Sequence, residues 1–260
     1  MNDTRQPRNV TVTRYILPLR EGGSLPALAE ADDDFKYVLK FRGSGHGVKM
    51  LIAELLGGKI AEVLGLKIPE IVFAHLDVDF GRTERDEEIQ DLLKFSEGLN
   101  LGLHFLSGAI AYEPGIKIDP FLASKVVWLD AYTTNIDRTV KNTNLLWWNK
   151  ELWIIDNGAS FYFHHSWKNF DQAAKWSFVY AKDHVLLPQA EKLDEADAYA
   201  KSILNSVVLR EIVNLIPEEW LRWDDTEETP DEIKDVYYQF LKTRLEHSYL
   251  FLNEAKHAKG

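Results

Sequence analysis

Residues 135–144, NIDRTVKNTN, decide how the rest of the chain is read. They hold one acid, two bases and three amides between two strongly apolar segments. Upstream, DPFLASKVVWLDAYTTN (119–135) opens with Asp119 as a helix N-cap and Pro120 at the first helical position, so it predicts a mostly apolar helix that delivers the chain into this stretch. Downstream, NLLWWNKELWII (144–155) predicts two apolar strands about a turn at Asn149-Lys150. The loop is then pinned at both ends by buried elements, which holds Asp137 near Asn142. The hairpin returns the chain, so Asp156 in LWIIDNGASF emerges beside Asn142.

Three oxygen-bearing side chains are therefore expected to converge: Asp137, Asn142 and Asp156. An amide with one or two carboxylates suits a hard cation such as Mg²⁺, which keeps waters and takes substrate phosphates as its other ligands. A further carboxylate beside it can accept a proton from an attacking hydroxyl. An Asp base, an Asn five residues later and a second Asp after a hairpin is an arrangement of phosphoryl transfer. Asp and Asn are also the commonest loop residues, so the spacing alone is weak.

The N-terminal part supplies more. FKYVLKF (35–41) alternates as a strand and carries Lys40 amid apolar residues. The next segment places apolar residues at 51, 52, 55, 56, 60, 63 and 64, a helix ending near Gly65 that carries Glu54 and Glu62. A strand Lys and a helix Glu that orients it serve the α/β-phosphates in kinases. The competing reading makes Lys40 a solvated edge residue and Glu54 or Glu62 an ordinary helix-surface charge.

The rest reads as strands at 10–19, 35–41, near 69–80 and near 99–108, with PALAE (26–30) as a possible returning strand. A short acidic helix, capped by Thr83 or nearby, is expected between the last two of these strands. The chain turns helical after residue 166, with helices expected at 187–203, 205–215 and 231–257. YEPGIKI (112–118) is the expected boundary between an N-lobe, 1–112, and a C-lobe, 113–260. The fold class is α+β, with two unequal lobes.

Bulk composition narrows the function. The 260 residues are 45% hydrophobic, enough for a sizeable core. A formal charge of −11 argues against broad binding to nucleic acid or anionic membrane. There is no cysteine, which removes thiolate nucleophiles and Cys-based metal sites. No apolar run approaches the ~20 residues of a membrane span, and the first residues hold no apolar signal core, so a cytoplasmic protein is expected. GSGHG (43–47) lacks the Lys-Ser/Thr ending of a Walker loop and is a strand-to-helix turn or a second flap near phosphate. His164 and His165, adjacent on a regular strand, would face opposite sides and ligate one metal poorly.

FKYVLKF, AELLGGKIAEVLGLKIPE, NIDRTVKNTNLL and LWIIDNGASF together resemble the HipA-like kinases, in particular their short single-module bacterial branch; REGGSLPALAEADD and SFYFHH fit that branch as well. The loop and IDNG portion is also similar to type II phosphatidylinositol 4-kinases. The resemblance implies a bilobal protein-kinase-like fold with ATP and Mg²⁺ in its cleft. It implies Asp137 as catalytic base, Asn142 and Asp156 on the metal, Lys40 on the ATP phosphates with Glu54 as its partner, and Gly22, Gly23 and Ser24 as the phosphate-covering turn. Arg138 and Lys141, beside the base, would meet the γ-phosphate or the substrate. The chain departs from ordinary protein kinases in having Asn135 two residues before the base, Asn157-Gly158 after the metal Asp, and no Ala-Pro-Glu segment.

The implied function is an ATP- and Mg²⁺-dependent phosphotransferase acting on a protein Ser/Thr or a small hydroxylated molecule, the acceptor being unidentified. The alternatives are a lipid or inositide kinase and a catalytically silent nucleotide-binding module. Neither a nucleic-acid partner nor a membrane partner is expected.

Overall fold

The structure is a computed structural model and describes residues 6–19, 25–45, 47–78, 80–81, 86–223 and 226–260. The expected phosphate turn Gly22, Gly23 and Ser24, together with Thr83 and His46, lies outside the described residues. The chain divides into two compact units. One comprises Arg5–Leu55 with Pro69–Ser107; the other comprises Leu56–Ile68 with Gly108–Gly260.

In the first unit, β1 (Arg8–Pro18), β2 (Ala27–Ala31) and β3 (Lys36–Lys40) run antiparallel in sequence order. The helix α1 (Gly47–Val63) follows, its residues from Leu56 on belonging to the other unit, then β4 (Ile71–Leu76), α2 (Glu87–Phe95) and β5 (Gly98–His104). The strands close into a barrel of order β1-β2-β3-β5-β4. Closure comes from a parallel pairing of β1 with β4, from Arg8 opposite Val72 to Thr11 opposite His75. The strand-rich content agrees with the sequence reading, but a closed five-stranded barrel departs from the usual sheet of a kinase N-lobe.

The residues explain the closure. The inward positions of β2 are Ala27, Ala29 and Ala31, all buried, and such small side chains let opposing strands approach in a narrow barrel. Gly102 on β5 allows a close approach of β4, because a Cβ there would lie 2.8 Å from Val72 Cγ2. Val10, Val12, Tyr37, Leu39, Val72 and Leu76 fill the remaining interior. The helix α2 packs against this interior: its Leu93 belongs to the cluster, and Ile89 and Leu92 lie against it. Asp86 caps α2 by accepting from the backbone N–H of Glu88 at 3.1 Å.

The continuous apolar reading of α1 is sharpened rather than reversed. Every residue from Met50 to Ala61 is buried, including Glu54 and Lys59, so the helix has no solvated face.

The second unit is helical around one small sheet. β6 (Ile110–Ala111) joins the expected hairpin, so β6, α3 (Pro120–Thr133), β7 (Leu145–Trp148) and β8 (Glu151–Ile154) succeed one another, with the sheet in the order β6-β7-β8. The turn residues Asn149 and Lys150 both have positive φ, 49° and 65°, as a two-residue type I′ turn requires. Asp119 caps α3 by accepting from the Leu122 N–H at 2.9 Å, with Pro120 at the first position.

Beyond the sheet come α4 (Phe170–Ala173), α5 (Leu193–Ile203), α6 (Ser206–Asn214), α7 (Pro230–Glu246) and α8 (Ser248–Lys259), with several 3₁₀ turns between them. Two expected helices are shorter than the sequence suggested. Residues 187–189 form a 3₁₀ turn around Pro188 before α5 begins, and the helix expected over 231–257 breaks at His247. Thr229 and Glu232 form a reciprocal capping box at the start of α7.

Candidate active site

The loop at 135–144 is shaped by the end of α3. Thr134 turns left-handed at φ 58°, which stops the helix, and its N–H bonds back to the Asp130 carbonyl. Asn135 then folds over the turn: its Oδ1 accepts from the Asp137 N–H at 3.1 Å and its Nδ2 donates to Asp130 Oδ1 at 3.2 Å. The Thr139 N–H bridges the carbonyls of Asp137 and Asn142, at 3.0 and 2.9 Å. The loop is a knot of short-range bonds, and it presents the Asp137 carboxylate toward two amides. Asn142 Nδ2 donates to Asp137 Oδ2 at 2.8 Å, and Asn144 Nδ2 donates to the same oxygen at 3.3 Å.

The hairpin returns as expected. The Ile155 N–H donates to the Asn144 carbonyl at 3.1 Å, which zips the end of β8 to the end of the loop. Asp156 follows in the left-handed region at φ 55°, a conformation that Asp tolerates better than most residues. Its charge reaches Asp137. Burial is the first cause that pushes the Asp137 carboxyl above the ordinary aspartate range, and the Asp156 carboxylate pushes the same way. The bonds from Asn144 and Asn142 and the nearby Arg138 charge oppose this without reversing it.

Arg138 differs from its expected role. Its place beside Asp137 suggests a residue that meets phosphate or substrate, yet its side chain is fully buried, at 0% exposure. Its guanidinium has five N–H groups, and all five have partners. Nε donates to Asp130 Oδ2 at 2.6 Å and one terminal nitrogen donates to Asp130 Oδ1 at 3.3 Å and to Asn157 Oδ1 at 3.1 Å. The other donates to the carbonyls of Asn144 and of Ile155, the latter at 3.0 Å. A buried cation so enclosed has no donor left for a ligand. Asp130 is equally buried; desolvation raises its carboxyl, but the Arg138 charge and the His184 bond outweigh it and hold it below the usual range. His184 Nδ1 accepts from the Leu186 N–H at 3.0 Å, which leaves the Nε2 proton directed at Asp130 Oδ2, 2.8 Å away.

Asn157 packs against α1. A Cβ on Gly57 would lie 2.8 Å from Asn157 Cβ, so only glycine leaves room for the residue that follows Asp156.

The donor set can be tested against a metal. Among the described residues no group of three His, Cys, Asp or Glu could hold an ion, so a closed protein cage is not available. Two carboxylates close enough to perturb each other and an amide, all hard oxygen donors, fit an ion that completes its shell with water and phosphate, as Mg²⁺ does. Asn142 spends its Nδ2 on Asp137, which leaves its amide oxygen as the atom of that side chain able to ligate a cation.

In the first unit, Lys40 ends β3 and Glu54 sits on α1, with Nζ and Oε2 3.9 Å apart and side-chain exposures of 4% and 1%. A solvated edge role for Lys40 and a surface role for Glu54 are thereby excluded. Glu62 instead pairs with Lys59 at 2.8 Å. His164 and His165 lie in a 3₁₀ turn (Tyr162–His165), not on a strand; His164 is buried against the Tyr237 hydroxyl at 3.0 Å, while His165 is exposed.

A family model described as HipA-like kinase matches residues 12–249. This chain belongs to the HipA-like kinase family. Among solved structures, the crystal structure of a Helicobacter pylori proinflammatory kinase, CtkA, matches with a TM-score of 0.56 and 12% identity, over 97% of this chain and 98% of that one. At that identity the likeness is one of fold. No curated protein matches the sequence.

In this HipA-like kinase, sequence reasoning missed Asp130, Asn144, Asn157 and His184. A signal existed for Asp130, the acid set in the apolar run VVWLDAY, where a buried charge must find a partner. Nothing in the local sequence distinguishes His184, which reaches Asp130 across 54 residues.

Proposed function

We propose that this HipA-like kinase transfers the ATP γ-phosphate to a hydroxyl of a protein Ser/Thr or of a small molecule, with Asp137 as the base. The observation that carries the reading is the shared acceptor position of Asp137. Its Oδ2 is bonded by Asn142 and Asn144, and its carboxyl is pushed above the ordinary range by burial and by Asp156. A carboxylate tuned upward is better matched to proton abstraction near neutral pH. In this reading Asp137 accepts the acceptor's hydroxyl proton as the oxygen bonds to the γ-phosphorus. The bond from the γ-phosphorus to the bridging oxygen breaks, ADP leaves, and the proton stays on Asp137 until solvent removes it.

Asn142 and Asp156 would hold Mg²⁺, which supplies charge neutralisation at the β- and γ-oxygens. Lys40, kept in place by Glu54, would meet the phosphates, and Gly22, Gly23 and Ser24 would cover them. Residues 1–112 would then form the nucleotide lobe and 113–260 the catalytic lobe. No described helix is long and apolar enough to cross a membrane.

Thermal unfolding with and without Mg·ATP tests the binding half of this reading. At 100 times the dissociation constant the nucleotide adds roughly 2.7 kcal/mol. Wild type is expected to rise in melting temperature and Asp156→Asn to lose the Mg²⁺-dependent part. No shift in wild type at millimolar Mg·ATP would remove the nucleotide site.

A further inference from the structure

We propose that Asp130 and His184 are positioning residues for the metal-binding loop, acting through Arg138 on both neighbours of Asp156. This rests on the reading above, in which Asp156 holds the metal. The Arg138 fork touches the residue before Asp156, through the Ile155 carbonyl at 3.0 Å, and the residue after it, through Asn157 Oδ1 at 3.1 Å. It also holds the Asn144 carbonyl, and Asn144 bonds the Asp137 carboxylate. One planar group thus sets the spacing of the base and the metal aspartate. Asp156 sits at φ 55°, outside the conformations an L-residue prefers, so a constraint on its two neighbours is what keeps it there.

The guanidinium in turn needs its own anchor. Asp130 takes two of its N–H groups, at 2.6 and 3.3 Å. Asp130 Oδ2 is shared with His184 Nε2 at 2.8 Å, and Asn135 holds Oδ1 at 3.2 Å. His184 is fixed from the far side by the Leu186 N–H and by the Val185 N–H donating to the Arg138 carbonyl at 3.1 Å. The segment around His184 is therefore bonded to the catalytic loop by both side chain and backbone. None of these groups has spare capacity for substrate; their chemistry is that of partners that orient ligating residues from behind, whose loss costs roughly 10–100-fold in metal affinity.

The test is Mg²⁺-dependent binding of a trinitrophenyl ATP analogue, followed by fluorescence in EDTA and across a Mg²⁺ titration. The variants are wild type, His184→Ala and His184→Gln. His184→Ala is expected to leave metal-free affinity within about twofold and to raise half-saturating Mg²⁺ about 10-fold. His184→Gln, whose amide can donate to Asp130, is expected to restore most of that difference. A merely structural histidine would lower the melting temperature and leave half-saturating Mg²⁺ at the wild-type value, which would overturn the inference alone. A wild type that binds the analogue no better with Mg²⁺ than in EDTA would overturn both this inference and the assignment of Asp156. If His184→Ala does not fold, Asn157→Ala gives the same readout, because it removes one arm of the fork and leaves the Asp130–Arg138 pair intact. Unchanged half-saturating Mg²⁺ in Asn157→Ala would equally overturn the inference.

Discussion

Replacing Asp130 with alanine should be among the most damaging single changes in the second unit. Both Asp130 and Arg138 have 0% side-chain exposure, so the alanine leaves a guanidinium in a water-free site without its carboxylate. Breaking a buried pair from one side costs about 3–5 kcal/mol. For a chain of this size each kcal/mol moves the midpoint by roughly 2–4 °C, so the melting temperature should fall by roughly 6–20 °C. Urea unfolding followed by tryptophan fluorescence gives the free energy directly. Asp130→Asn keeps an acceptor oxygen and should cost less. The two variants also separate the charge by pH. The folded-state carboxyl is held below its ordinary value, so its stabilisation is present above the unfolded pKa and disappears as pH falls through the folded one. Wild type should lose stability on acidification in that window, and Asp130→Asn should lose less. A cost below about 1 kcal/mol for Asp130→Ala, the level of an exposed pair, would refute the buried-anchor reasoning.

Asp137→Asn should lower phosphoryl transfer by at least about 100-fold without lowering the melting temperature at neutral pH. The folded carboxyl is raised, so its ionised form costs stability above that value and the cost is relieved as pH falls. The acid limb of kcat/KM in wild type should accordingly lie above the ordinary aspartate range, as a pH–rate profile would show. Gly57→Ala should destabilise by about 1–3 kcal/mol because its Cβ would overpack Asn157 at 2.8 Å, even though alanine favours a helix; a stabilised variant in urea melts would contradict this. Tyr237→Phe removes the 3.0 Å bond to His164 and should cost on the order of 1 kcal/mol in the same melts, with transfer activity retained.

Local chemistry made much of the fold legible. Asp119-Pro120 announced α3, Asn149-Lys150 announced the hairpin turn, and alternation announced β3. The bond between Asn142 and Asp137 and the reach of the Asp156 charge to Asp137 are legible in chain order, because a helix and a hairpin leave a loop little freedom. What could not be read was long-range. The parallel closure of β1 on β4 joins Arg8 to Val72 and has no local signature. The sequence suggests a ligand role for Arg138 because it stands beside Asp137, and only its burial against Asp130 shows otherwise. The break at His247 also lay beyond pattern reading, since helical periodicity continues across it.

The central claim is that Asp137 drives phosphoryl transfer, and it is tested most directly by incubating the purified protein with [γ-³²P]ATP and Mg²⁺ and measuring autophosphorylation and labelling of a mixed protein acceptor, for wild type and Asp137→Asn side by side. The account requires labelling by wild type that falls by at least about 100-fold in the variant, within the usual contribution of a general base. Equal labelling by both proteins would contradict it.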